Sequence, residues 1–394
     1  MRNIFKLAIV FVLVLLLGGC GVSHNKVKLT FSTWGSQSEI KLIQPVINDF
    51  EQKYKVKVEL IHIPQNYFQK LHLLFASNQA PDVVFINNYY LPIYYNAGLL
   101  TDLTSYFDKN EYFVNAIQAM SIKDKLFAVP RDISNVVVYY NKDIFRKENI
   151  SFPTENWTYS DFLNICIKLT NKHHWAIGFE ENPIFWEPIL WSNGGSIFKS
   201  NGDFNLNYPQ SNDGLKFYID LRTKYNVAPS KEESSNQTMA QMFLNERIAM
   251  QISGRWLVPK YRQEASFDWD VVSLPIGKNG SISGADTSGW AISSISKNKE
   301  LAIKFIQHLN SKHALESITK SGLITPAKKE IAYSNAFLDG QKPKNAKIFL
   351  KINYNAKINT VPIDYNKKIQ QLLKILEPYF VGKDEITQYT KFEL

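Results

Sequence analysis

A chain of 394 residues, 45% of them apolar, can bury more than one core, so a disordered polypeptide is excluded and two lobes are expected. Its formal charge of +9 is dispersed, because lysine and arginine never run beyond adjacent pairs such as Lys328-Lys329 and Lys367-Lys368. That spread lacks the basic stripe of a phosphate-binding surface and argues against nucleic acid as a partner.

The N-terminal segment sets the compartment. Arg2 and Lys6 precede an unbroken apolar run from Leu7 to Leu17, and Gly18, Gly19 and Cys20 follow. This is the three-part form of a secretory signal peptide. Spanning a bilayer takes about 20 apolar residues, and this run is shorter. The ending Leu17-Gly18-Gly19-Cys20 resembles the bacterial lipobox, which implies cleavage before Cys20, lipidation of its sulfur and anchoring outside the cytoplasmic membrane. Residues 1–19 are then a lipoprotein signal peptide and 20–26 a small, mostly polar tether. Removing Arg2 and Lys6 leaves +7 of the +9. With Cys20 so used, no disulfide forms. Cys166 recurs with Phe162, Ile165 and Leu169 at helical spacing, as a small core residue does.

Val27, Leu29 and Phe31 alternate with polar residues and predict a first strand; Ile40, Ile43, Ile47, Phe50 and Tyr54 predict an amphipathic helix. Val56, Val58 and Leu60 form a second strand, which a right-handed crossover makes parallel to the first. A helix through Tyr67, Leu71, Leu74 and Phe75 leads to a buried strand at Val83–Ile86. A further helix runs from Leu91 to Ala97 and closes at Gly98. The class is α/β, and such sheets bind ligands beyond the carboxyl ends of their strands. The loops there offer Trp34 and Gln37, then Gln65 and Tyr67, then Asn87, Asn88 and Tyr89 as candidate ligand residues. They are amides, hydroxyls and rings, without a reactive pair. For Asn88 a turn role competes with a binding role.

A second α/β unit starts at Val136–Tyr140, an apolar run without alternation, as in a strand covered on both faces. It continues through a helix from about Tyr159 to Thr170 with Thr158 as its cap. Next come the aromatic segment Phe185 to Gly195, holding Trp186, Trp191 and Asn193, and a helix marked by Leu215, Tyr218, Ile219 and Leu221. The stretch Lys342 to Thr360 shows no clear pattern, whereas Lys367 to Phe380 is strongly helical.

The order of Phe31-Ser-Thr-Trp34, Ala80-Pro-Asp-Val83, Ala97-Gly-Leu-Leu-Thr-Asp-Leu103, Val138-Tyr-Tyr-Asn-Lys-Asp-Ile-Phe145, Asn193-Gly-Gly195, Phe243-Leu-Asn-Glu-Arg-Ile-Ala-Met250, Ser253-Gly-Arg-Trp256 and Gly322-Leu-Ile-Thr-Pro-Ala327 covers essentially the whole chain. It resembles the sugar-binding group of extracellular solute-binding proteins of ABC importers. The resemblance implies a periplasmic-binding-protein-like fold of type II, with two α/β lobes joined by a three-crossing hinge. Lobe one is then 27–134 with 285–326, and lobe two 135–284 with 327–394. It further implies closure around a carbohydrate, delivery to the membrane permease subunits of an ABC importer, a monomer anchored by its lipid, and neither cofactor, metal nor enzymatic activity.

A sugar needs side chains that donate and accept, together with flat rings for its C–H faces. Trp34, Trp186, Trp191, Trp256 and Trp290 are candidate plates, with core packing as the competing role. Asp132 and Asn135 flank the first crossing, and Asp286 precedes Trp290 near the second. Arg255 either grips a carboxylate or phosphate bidentately or makes a structural salt bridge. Three other readings stay open: a phosphorylated polyol held by Arg131 and Arg255, a ligand-presenting sensor subunit, and a lipid-anchored glycosidase. The last requires two opposed carboxylates, for which Glu180-Glu181 and Asp268 with Asp270 are at hand. No G-x-S-x-G, H-E-x-x-H, G-x-G-x-x-G or P-loop pattern occurs, and the seven histidines show no i,i+4 pair.

Overall fold

The computed structural model describes residues 27–387 and 390–392; the signal peptide, Cys20 and the tether lie outside the described residues. The first sheet is built from β1 (Lys28–Thr33), β2 (Lys57–His62), β3 (Val83–Asn87), β4 (Val129–Ser134) and a late strand, Asp286–Ile292. The second holds β5 (Val136–Asn141), β6 (Trp175–Ile177), β7 (Ile248–Gly254) and β8 (Trp269–Val272), so the late strand is β9. The orders are β2-β1-β3-β9-β4 and β8-β5-β7-β6. β1 pairs in parallel with β2 and β3, as the intervening helices α1 (Gln37–Tyr54) and α2 (Tyr67–Ala76) require, whereas β9 runs antiparallel to β3 and β4.

Local chemistry fixes where these elements begin. Ser36 accepts the Glu39 N–H at 3.3 Å and donates its own N–H to Glu39 Oε2 at 2.7 Å, a capping box that starts α1 directly behind Trp34. Asp82 accepts from Thr30 N and Oγ1, each at 2.8 Å, and from Ser296 Oγ at 2.6 Å. It thereby ties β1 to the start of β3. Thr158 and Asp161 form a second capping box, which opens the helix α3 (Tyr159–Leu169).

The chain passes from the first sheet to the second between β4 and β5 and returns between β8 and β9; Pro326 and Ala327 both pair with β4, bridging to Asp132 and bonding Arg131 O at 3.1 Å. In β5, Val136, Val138 and Tyr140 belong to one apolar cluster and Val137 and Tyr139 to another, so both faces are buried. The cluster with Val137 and Tyr139 also contains the core of the first sheet together with Phe337 and Phe349; the cluster with Val136 holds Trp157, Cys166, Trp186, Leu372 and Phe380. Residues 327–356 touch both sheets. Lys328 pairs with Glu111 on one side, and Asn345 bonds Asp270 Oδ1 and Val271 O on the other. The terminal helix, Tyr365–Phe380, packs on the helix Pro209–Thr223 beside the second sheet.

Candidate functional site

The carboxyl ends of β1 and β3 open onto a cavity of about 510 Å³ between the two sheets. From the first sheet and the start of α1 come Trp34, Ser36, Glu39, Phe85, Asn87, Asn88, Tyr89, Arg131, Asp132, Ile133, Ser134, Asp286, Thr287 and Ser288; from the other side come Ile184, Arg255 and Trp256; Leu323, Ile324 and Thr325 complete the lining. Two glycines make this possible. A Cβ on Gly289 would meet Val129 O at 2.1 Å, so only glycine lets β9 press against β4, where the register shifts between Ser288 and Gly289. A Cβ on Gly254 would strike the Trp256 ring at 1.9 Å, so this glycine lets the indole fold back over the end of β7.

Trp34 is 49% exposed, with its ring 5.9 Å from that of Phe85, and Trp256 is half-buried. The polar groups divide into satisfied and unsatisfied sets. Asp132 accepts from Arg131 Nε at 2.6 Å and from Ser288 Oγ at 2.8 Å, so Arg131 is neutralised. Asp286 Oδ1 accepts the Tyr89 hydroxyl at 2.5 Å and Asn359 Nδ2 at 3.4 Å. Burial nonetheless pushes its pKa up to about 6. In contrast, Thr325 Oγ1 and all three guanidinium nitrogens of Arg255 are buried without a hydrogen-bond partner. Burial depresses Arg255 to about 10.

Beside the cavity a void of about 10 Å³ is lined by Ser134, Glu187, Trp191, Asp286 and Asn359 among others. Burial, reinforced by the charge of Asp286, raises Glu187 to about 8. Tyr89 stacks on Tyr365 at 4.9 Å and accepts Asn359 Nδ2 at 2.8 Å, joining the first sheet to the terminal segment.

Nine of the sixteen candidate residues from the sequence meet at these spaces: Trp34, Asn87, Asn88, Tyr89, Asp132, Arg255, Trp256 and Asp286 at the cavity, and Trp191 at the neighbouring void. Seven do not. Trp290 is 1% exposed, edge-on to Phe31 and Phe85, because it lies two residues past Ser288 and points into the core of the first sheet. Trp186 is fully buried against Phe380, its indole donating to Glu181 O. Tyr67 is buried between Ser32 and the Phe85 N–H. Asn135 donates to Phe349 O at 2.9 Å and to Asn353 Oδ1, and Asn193 donates to Gln210 O. Gln37 and Gln65 are exposed and away from the lining.

Sequence reasoning missed Thr325, Ser288, Ile184, Glu187 and Asn359. Thr325 sits in the recognised Gly322–Ala327 motif. Glu187 was visible as the one acid in an apolar helix, Pro183–Ser192, whereas nothing marked Asn359. Of the acids weighed for glycoside chemistry, Asp268 pairs with Lys142, Arg146 and Lys342, Asp270 holds Asn345, Glu181 pairs with Arg222, and Glu180 lies outside the cavity lining. Among the described residues no three His, Cys, Asp or Glu side chains gather as a metal site requires, and no helix is long and apolar enough to cross a membrane.

An ABC substrate-binding protein of Listeria monocytogenes, solved in complex with cycloalternan, superposes with a TM-score of 0.84 at 28% identity over 91% of this chain and 95% of that one. The maltose-maltodextrin binding protein of Alicyclobacillus acidocaldarius shares the fold, with a TM-score of 0.76 at 21% identity over 91% and 96% of the two chains. In sequence, the chain is 23% identical to the galactooligosaccharide-binding protein of Bacillus subtilis over 324 residues, 78% of this chain and 75% of that one. Residues 34–315 match the model of the bacterial extracellular solute-binding proteins, and the chain belongs to that family.

Proposed function

We propose that the protein is an extracytoplasmic receptor that holds a carbohydrate between its two lobes and delivers it, unaltered, to the permease of an ABC importer. One observation carries the reading. The cavity sets two accessible indoles, Trp34 and Trp256, beside buried hydrogen-bonding groups that have no partner in the protein, Thr325 Oγ1 and the Arg255 guanidinium. Flat rings match the C–H faces of a pyranose, and unpaired buried groups, costly by about 1–3 kcal/mol each, match its hydroxyls. The relatives that bind cycloalternan and galactooligosaccharides support the same class.

In this reading lobe one is 27–134 with 285–326 and lobe two 135–284 with 327–394, the ligand favours their closed arrangement, and the chain works as a monomer tethered through lipid on Cys20. Its role is binding and not catalysis. A thermal-shift screen over neutral and acidic sugars tests it, since a ligand at about 100 times its Kd adds about 2.7 kcal/mol. Absence of any sugar-dependent shift refutes the carbohydrate. Uptake that is unchanged in a deletion strain refutes transport and favours a sensory subunit.

A further inference from the structure

Two arginines line the cavity, and the protein treats them differently. Arg131 is neutralised by Asp132 at 2.5 Å. Arg255 is 3% exposed, its guanidinium lies 3.9 Å from the ring centre of Phe337 and 5.6 Å from that of Phe349, and Nε, Nη1 and Nη2 all lack partners. The carboxylate that acts on it, Asp339, is already held by Arg262 at 2.9 and 3.0 Å. An aromatic face offsets part of the lost hydration, but a buried cation without counter-charge remains a large penalty in a folded chain. Such a penalty persists where function needs it. Arg255 is among the residues that line the cavity, its guanidinium nitrogens closed to solvent, and a planar fork of donors is shaped for a carboxylate or phosphate.

We propose that Arg255 selects a carbohydrate carrying an anionic substituent, a uronate carboxylate or a sugar phosphate, whose oxygens complete the guanidinium's hydrogen bonding. This rests on the carbohydrate reading above and narrows it. Three acids on the lining do not cancel the cation: Glu39 is held in the capping box by the Ser36 N–H, Asp132 belongs to Arg131, and Asp286 is occupied by Tyr89 and Asn359.

The test is calorimetric titration of the full chain with matched pairs: trigalacturonic acid against a neutral galactotriose, and glucose 6-phosphate against glucose. Wild type, Arg255→Met and Arg255→Lys are compared, together with the melting temperature of each without sugar. The expected result is an acidic member bound about 30- to 100-fold tighter than its neutral counterpart, with the carboxylate and phosphate arms showing which anion fits. Arg255→Met should abolish that preference, Arg255→Lys should keep part of it, and Arg255→Met should melt higher than wild type because it removes the unpaired charge while still packing on Phe337. A structural arginine would do the opposite and melt lower. Neutral members binding as tightly as acidic ones overturn the selection of an anion and leave the carbohydrate reading standing. Failure of both members of every pair removes the carbohydrate reading and this inference with it.

Discussion

The Tyr89 hydroxyl donates to Asp286 Oδ1 at 2.5 Å on the lining of the cavity, and Glu187 shares the adjoining void with Asp286, its carboxyl displaced to about 8. A carboxyl raised by burial keeps its proton in the folded chain where the unfolded chain has lost it. Between its ordinary 4.5 and about 8, Glu187 therefore makes the native state the better proton binder, and stability falls as pH rises. Asp286 adds the same trend between 3.8 and about 6. The melting temperature should decline from pH 5 to pH 8, and Glu187→Gln should flatten the upper part of that decline and melt higher at pH 8. A wild-type profile that rises over this range contradicts the assignment.

Trp256→Ala should leave the fold intact and weaken sugar binding by about 2 kcal/mol, roughly 30-fold, because it removes a half-buried plate that packs on the second core from outside it. Trp34→Ala should act in the same direction. Calorimetry beside circular dichroism checks both; unchanged affinity would remove these rings from the binding surface.

Trp290→Ala and Trp186→Ala should behave as core truncations, each costing about 3–5 kcal/mol of stability, since both side chains are essentially inaccessible. Denaturant unfolding measures this. If either variant unfolds like wild type but loses the ligand, its placement in the core is contradicted.

Asn359→Ala removes the amide that reaches both Tyr89 and Asp286 from the terminal segment. The sugar-free protein should shift toward open forms, visible as a larger radius of gyration in solution scattering, and apparent affinity should drop about fivefold for a loss of about 1 kcal/mol. An unchanged radius and affinity would show that this contact does not bias closure.

Much of the architecture was legible because period-2 and period-3.6 patterns are local properties. The strand from Val83, the doubly buried run at Val136 and the helix ending at Phe380 are read from spacing alone. Cavity residues at strand ends were legible for the same reason, as with Trp34 and Asn87. The tryptophans show where such reading stops. Trp290 and Trp256 both follow a glycine by one or two positions, yet one turns under Phe31 and the other lies over the end of β7, a difference set by strand register and by Gly254, not by neighbours in sequence. Asn359 reaches the site from a stretch without periodicity, placed there by the pairing of Lys357 with Ser283 and Ala285.

A single residue, Asn135, separates β4 from β5. In the proposed closure, so short a connection means that turning one sheet against the other barely displaces the neighbouring Ser134 and its register partner Asp286, while β1 lies three strands away, roughly 14 Å. The stretch of the guest nearest Asp286 therefore meets walls whose spacing hardly varies. The stretch under Trp34 meets a jaw with the widest sweep, so discrimination should be strict at the inner end and permissive at the outer rim.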